Sequence, residues 1–395
     1  MHKRETVAME DLLDRLRRLA CGRRLLDAAG AAGGVHLVGG AVRDLLLGRV
    51  PRELDVVVEG DVDALAAALG TVTATHERFG TVTVRDGDCR WDLAAARAED
   101  YAHPGALPVV RAASIEEDLR RRDLTINAIA LDLAGGELRC AGHAFDDLQA
   151  RRLRVLHDAS FRDDPTRLWR IARYAARLGF ELEPHTARLA AEAVAGGAPE
   201  RVSRARLGNE LRLALREPDP VTALEHAVRL GLAPWLAPDR DRVEAALRLL
   251  PGGEGRADLV VLAAALDVVA GDADQRLAGL DFSAAERAVL RAAARAPAIA
   301  SEALAARRAS QLAHVLSGLP VEAVVLAGAG GAAEPVRRWL DELRHVALRI
   351  DGDDLLGAGV PRGPQIGRRL SATLDLLLDG ELADDRAAQL ATALR

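Results

Sequence analysis

The chain changes character once, between residues 140 and 163, and that change constrains its fold more than any other feature of the sequence. Before it, apolar runs of strand length alternate with helical stretches. Val35-His36-Leu37-Val38, Leu54 to Val58, Thr81-Val-Thr-Val and Arg90-Trp-Asp-Leu read as strands, and Thr125 to Leu133 is another apolar run ending near Gly135-Gly136. After it, apolar residues recur almost only at helical spacing, with breaks at Gly179, Gly196-Gly197, Pro218 and Pro220, Pro251-Gly252-Gly253, and Pro361 to Pro364. Such a pattern predicts an α+β head followed by an all-helical remainder. Aromatics make up only 3% of the chain, so the cores must be built from Leu, Ala and Val, a composition that suits helices. Leu12, Leu13, Leu16 and Leu19 predict one helix over about residues 10–30, and Ala41 to Leu47 a short one ended by Gly48.

Charge and cysteine usage narrow the function class. A net charge of -6 carries no global basic signature, so any nucleic-acid footprint is local. Cys21, Cys89 and Cys140 lie far apart, without the paired spacing of a zinc site or disulfide framework, which favours a reducing cytosol. The charged N-terminus lacks the apolar core of a signal peptide. Leu259 to Ala270, interrupted by Asp267, is too short for a membrane span. The expectation is a cytoplasmic protein without a membrane partner; the sequence leaves its oligomeric state open.

Glu53 and Asp55 stand two apart on an expected strand, so their carboxylates share a face. Two acids aimed at one point repel unless a cation neutralises them, and hard oxygen ligands suit Mg²⁺. Most E-x-D pairs on strands are solvated sheet faces, so context decides. Gly39-Gly40 follows a strand and opens a helix, where bare backbone can approach phosphate, although a packing turn needs the same residues. Arg43, one helical turn in, is a candidate triphosphate clamp. Asp92 either completes the acidic site or caps the segment after it.

Arg120-Arg-Arg-Asp-Leu-Thr-Ile-Asn127 places three cations before an apolar run in which Asp123, Thr125 and Asn127 alternate with apolar neighbours. A polar strand face is costly in a core unless a site lies there. Asp164-Pro165 reads as an N-cap and first helical position. Beyond it Arg167, Arg170 and Arg173 form a basic stripe at three-residue spacing, and an Asp acceptor with an Arg donor one turn away can address a nucleobase edge.

Taken in order, these segments resemble the class II CCA-adding tRNA nucleotidyltransferase and bacterial poly(A) polymerase family. The family's L-V-G-G-x-V-R-D and following D-x-D are matched from Leu37 to Asp55, and its R-R-D-x-T-I-N-A from Arg121 to Ala128. Its D-x-x-x-R is matched by Asp147 to Arg151, and its E/D-D-P-x-R with the following R-x-x-R-F/Y-A-A-R-L-G-F from Asp163 to Phe180. A weaker E-R-x-S…E-L match runs from Glu200 to Leu211. The resemblance implies a polymerase-β-like nucleotidyltransferase head over residues 1–150, a neck of nucleobase-recognition helices over 151–220, and a helical body and tail over 221–395 that binds tRNA.

By the same resemblance, Glu53 and Asp55 would hold Mg²⁺, with Asp92 a third catalytic acid, and Gly39, Gly40 and Arg43 would contact the triphosphate. Arg122 and Asp123 would lie at the ribose, Asp164 and Arg167 would read the base, Asn127, Arg170 and Arg173 would also bind nucleotide, and Asp147 and Arg151 would help switch between nucleotides. The implied reaction is untemplated addition of CCA, or part of it, to the tRNA 3′ end from CTP and ATP. An A-adding-only enzyme, a poly(A) polymerase and a catalytically impaired RNA-binding paralogue are the alternatives. The paralogue is suggested by one departure: Glu53 stands where the family has Asp. With every other motif intact, the expectation is retained catalysis.

Overall fold

A computed structural model describes residues 12–30, 33–76, 80–266 and 273–395. The chain divides into two compact units, Met1–Glu210 with Arg229–Leu232, and Leu211–Val228 with Ala233–Arg395. The expected division between strand-bearing and helical sequence is present, as a mixed α+β fold.

The first unit is built on strands β1 (Val35–Val38), β2 (Leu54–Val58), β3 (Thr71–His76), β4 (Thr81–Asp86), β5 (Cys89–Ala95), β8 (Ile129–Asp132) and β9 (Leu138–Cys140). They form one sheet in the order β3-β4-β5-β2-β1-β8-β9. Only the β2–β5 pair is parallel. A separate hairpin-like pair joins β6 (Arg97–Asp100) to β7 (Val109–Ala112). All four residues of β1 are buried, as expected for a strand covered on both faces. One face carries the main core of Leu37, Val56, Val58, Leu93 and Leu131 against helix residues such as Leu25, Leu168 and Ile171. The other carries a smaller core of Val38, Val57 and Ala130 against Ile115 and Leu119. Because side chains alternate along a strand, Asp55 shares the second face with Val57.

Three expectations need correcting. The single helix over residues 10–30 is two, residues 12–18 and Ala20–Ala29, with Leu19 extended between them. The bend seats Gly22 so closely under Leu16 that a Cβ would lie 2.1 Å from the Leu16 carbonyl oxygen, and it lets Leu16 and Leu25 both reach the core. The apolar run from Thr125 is not strand throughout: Thr125–Asn127 is a 3₁₀ turn and the strand starts at Ile129. Its polar side chains are buried and bonded from that turn, which a regular ladder would have pointed elsewhere. Finally, Cys21 and Cys89 form a disulfide, although 68 residues separate them. The helix Ala20–Ala29 packs against β5, with Trp91 Nε1 donating to the Cys21 carbonyl at 3.1 Å, so tertiary contact rather than sequence spacing brings the sulfurs together.

In the second unit no β-strand occurs among the described residues, and the short helix Val321–Ala327 is its most enclosed element, with Ala323 to Ala327 without solvent exposure. In the helix Ala257–Ala265, every residue from Leu259 to Ala265 is likewise buried, as in a core helix built of Val, Leu and Ala. Capping boxes at Ser283 with Glu286 and at Asp351 with Asp354 define helix starts. No helix among the described residues is long and apolar enough to cross a membrane.

Candidate active site

Parallel register answers the question about Asp92. Across β2 and β5, Asp55 is paired with Asp92, and paired residues point to the same face. Glu53 lies one residue before β2 rather than within it, yet keeps the parity of Asp55. One carboxylate oxygen from each of Glu53, Asp55 and Asp92 lies within 4.8 Å of the others. Asp92 is held from its own sheet: Thr83, its register partner on β4, donates to Oδ1 at 2.6 Å, and Arg90 Nη2 donates to Oδ2 at 2.9 Å.

Burial, then the Glu53 charge, pushes the Asp55 carboxyl up to about 6; Arg122 opposes the shift and Asp92 adds to it. Three hard oxygen donors converging on one point, with one of them reluctant to ionise, form an arrangement that a divalent cation would relieve. The residues present therefore fit a metal of that class.

Beside the acids opens a cavity of about 290 Å³, whose wall includes Asp55, Gly39 and Gly40. Gly39 has φ +65, and a Cβ there would lie 2.8 Å from Arg122 Nη1. Glycine thus lets the guanidinium lie against the end of β1. Arg121 and Arg122 are both held by the fully buried Asp118. Its Oδ1 accepts from Arg121 Nε and Nη2 at 2.9 and 2.6 Å, and its Oδ2 from Arg122 Nε and Nη2 at 3.2 and 2.9 Å. Burial alone would raise the Asp118 pKa, but the Arg122 and Arg121 charges outweigh it and hold the carboxyl below its ordinary value. Its spacing of three and four residues before the arginines, on the helix Ile115–Arg120, was the available signal.

Of the residues expected at the site, Gly39, Gly40, Asp55, Arg122, Asp123, Asn127, Asp164, Arg167 and Arg170 line this cavity. Asp123 accepts from Arg170 Nε at 2.7 Å and from Asn127 Nδ2 at 3.1 Å. Against the upward push of burial, Arg170 and Asn127 bring its carboxyl down to about 2. Arg167 Nη1 donates to Ser160 Oγ at 2.6 Å and its Nη2 to the Arg121 carbonyl at 2.8 Å. The Asp164 carboxylate accepts from the Thr166 backbone N–H at 3.1 Å, so the capping component of that motif is real.

Arg43, Arg173, Asp147 and Arg151 lie elsewhere. Arg43, 2% exposed, is sunk beneath the cavity, donating to Asn127 Oδ1 at 2.7 Å and to Asp44, with its guanidinium 5.4 Å from the Tyr174 ring centre. Nε and Nη2 donate to Asp44 and Nη1 to Asn127, so Arg43 braces the cavity wall through Asn127, and its Nη2 would lie 3.5 Å from a Cβ at Gly40. Arg173 pairs with Glu210 at 2.9 Å. Asp147 is buried, accepting from Thr125 Oγ1 at 2.8 Å and Arg154 Nε at 2.9 Å, and Arg151 is an exposed residue at φ +55 after the helix Ala144–Gln149.

Glu99, Tyr101, Arg121, Thr166 and Tyr174 also line the cavity without having been singled out as site residues. Glu99 accepts from Arg121 Nη1 at 2.8 Å and from the Tyr101 hydroxyl at 3.0 Å. Burial and the Glu99 charge push the Tyr101 phenol up to about 12. The chain has two tyrosines, and both stand in this wall. In a sequence so poor in aromatics, that scarcity was the signal.

Residues 35–154 match the family model for the poly A polymerase head domain. The chain is 35% identical over 387 residues to an A-adding tRNA nucleotidyltransferase of Geobacter sulfurreducens, covering 88% of this chain and 44% of that protein. It is 38% identical over 376 residues to a CC-adding tRNA nucleotidyltransferase of Deinococcus radiodurans, covering 91% and 88%. A solved structure of the Thermotoga maritima CCA-adding enzyme complexed with tRNA matches with a TM-score of 0.73 at 28% identity, over 94% of this chain and 93% of that one. The chain spans less than half the length of several curated relatives, the Geobacter protein among them, and most of the Deinococcus one. Acid triad, glycine-floored cavity and near full-length likeness to the Deinococcus protein agree: the chain belongs to the tRNA nucleotidyltransferase family.

Proposed function

We propose that this chain adds CCA, or part of it, to the 3′ end of tRNA from CTP and ATP, without a nucleic-acid template and with Mg²⁺. The observation that carries the reading is the convergence of Glu53, Asp55 and Asp92 within 4.8 Å, beside a cavity walled by Gly39, Arg122, Asp164 and Arg167. The terminal 3′-oxygen of tRNA attacks the α-phosphate, a new O–P bond forms, and the bond to the β-phosphate breaks to release pyrophosphate. Mg²⁺ held by Glu53 and Asp55 would neutralise charge at the reacting phosphate. Asp92, fixed by Thr83, is assigned to take the hydroxyl proton. The bare backbone at Gly39-Gly40 holds the phosphates with Arg43 behind it, Arg122 and Asp123 lie at the ribose, and Asp164 and Arg167 address the base. Positioning supplies most of the rate. Asp147, through Thr125 and the turn bearing Asn127, is assigned with Arg151 to the change between nucleotides. Residues 151–220 are assigned to base recognition and residues 221–395 to holding the tRNA, in the cytoplasm.

Incubating the protein with tRNAs ending before C, after C and after CC, each with one nucleotide at a time, tests this. CCA, CC-only, A-only and poly(A) addition give different patterns, and no Mg²⁺-dependent incorporation on any of them overturns the reading. Retained tRNA binding without incorporation would establish the RNA-binding paralogue. Glu53 bears on that choice: its carboxylate, one methylene longer than Asp, still reaches the other two acids. The expected result is an active native chain, with Glu53→Asp altering the rate and not creating activity from none.

A further inference from the structure

The loop between β6 and β7 runs from Tyr101 to Pro108, brings Tyr101 to the cavity, and is pinned at Gly105. The Gly105 N–H donates to the carbonyls of Arg162 and Asp163 at 3.2 and 3.3 Å, just before Asp164. Its φ is +75, and a Cβ there would lie 2.8 Å from the Arg201 carbonyl oxygen, so the loop lies flat on the chain beneath it. One side chain closes the arrangement. Arg206, on the helix Arg204–Leu215, donates from Nη1 to the Gly105 carbonyl at 3.1 Å and from Nη2 to Asp164 Oδ1 at 2.8 Å.

Asp164 Oδ1 also accepts from the Thr166 backbone N–H at 3.1 Å and the Thr166 hydroxyl at 2.7 Å. Three donors therefore converge on one oxygen, while Oδ2 receives no hydrogen bond from the described residues. A carboxylate clamped at one oxygen presents the other as a fixed acceptor. Cytosine and adenine each carry an exocyclic amine donor, whereas uracil and guanine carry a carbonyl oxygen at the corresponding edge. An acceptor held in place separates the two classes; one free to rotate does so less well, because its carboxylate can turn away or admit water.

We propose that Arg206 is a positioning residue for nucleotide selection, fixing the Asp164 carboxylate and the loop that carries Tyr101 through a single guanidinium. This rests on the reading that Asp164 faces the incoming base. A planar fork with separate donors suits the bridge, and a lysine ammonium is a poorer replacement for it.

The test compares wild-type protein with Arg206→Ala, Arg206→Lys and Arg206→Gln, measuring kcat and KM for each of CTP, ATP, UTP and GTP on whichever tRNA, ending before C, after C or after CC, the wild type extends. The expected result for Arg206→Ala is a raised KM for the preferred nucleotide and a fall of about tenfold in its preference over UTP and GTP, the loss of roughly one hydrogen bond to a charged group. Partial recovery is expected in Arg206→Lys. Hydrogen exchange should quicken in residues 101–108 of the alanine variant. If Arg206→Ala does not fold, Arg206→Gln, which keeps a donor, is read by the same ratio. A folded variant whose preference equals that of wild type, or which slows equally with all four nucleotides, overturns the proposal while leaving the proposed function standing. Wild-type protein that incorporates no nucleotide on any of the three tRNAs overturns the proposed function and this inference with it.

Discussion

Asp55 has a consequence that reaches beyond the metal it would bind. Its carboxyl is pushed up to about 6 from an ordinary 3.8, by burial first and by Glu53 next. An acid whose pKa is raised on folding contributes stability below its unfolded value and loses that contribution as pH rises through its folded one. In metal-free protein the loss falls between about pH 4 and 6 and amounts to at most about 3 kcal/mol. Asp55→Asn should therefore be more thermostable than wild type at pH 7.5 in EDTA and no more stable at pH 3.5. Thermal unfolding at both pH values checks it, and a gap that does not change with pH would refute the assignment. If Glu53, Asp55 and Asp92 hold Mg²⁺ as proposed, added Mg²⁺ should narrow the gap at pH 7.5, since Asp55→Asn removes one of the three carboxylates.

The elements around the site are joined by charge as much as by apolar packing. Asp118, on the helix Ile115–Arg120, faces Arg121 and Arg122 with no exposure of its own. Removing one partner of a buried charge group costs about 3–5 kcal/mol. Asp118→Asn, which keeps the shape, should lower the melting temperature and raise the nucleotide KM by about tenfold or more, with a smaller change in kcat. Steady-state kinetics on the folded variant decide it: an unchanged KM would mean that the arginines hold their places without Asp118. How much of this was legible in the sequence follows from what pattern can carry. Periodicity placed β1, β2 and β5, and the Glu53/Asp55 parity, because side-chain alternation is a local property. Asp92 stayed ambiguous until β5 was seen parallel to β2, since register with a distant strand is not local. Alternation predicts a polar strand face of Asp123, Thr125 and Asn127, yet a turn carries the last two and bonds them inside the protein. Their polarity was informative and their periodicity was not. Arg43 shows the same limit: position along a helix fixes a direction, and only the folded chain shows its guanidinium packed against Asn127 and Tyr174.

Across the whole chain, the Cys21–Cys89 bond is the one covalent link among the described residues that crosses between distant segments, tying the helix Ala20–Ala29 to the start of the strand that bears Asp92. Closing a loop of that length stabilises a protein by about 4 kcal/mol in the chain-entropy account. Thermal scans with and without dithiothreitol should show a drop of several degrees for the wild type and none for a Cys21→Ala/Cys89→Ala double variant; no difference for the wild type would mean that the bond does not form in solution. The scarcity of aromatics has a practical side as well. Both tyrosines of the chain stand in the cavity wall, one on the β6–β7 loop and one on the helix Thr166–Leu178, while the second unit carries none. A tyrosine-selective isotope label would therefore yield a two-line spectrum in which, under the proposed function, both lines should shift when nucleotide is added, with no probe to introduce and no background from the second unit.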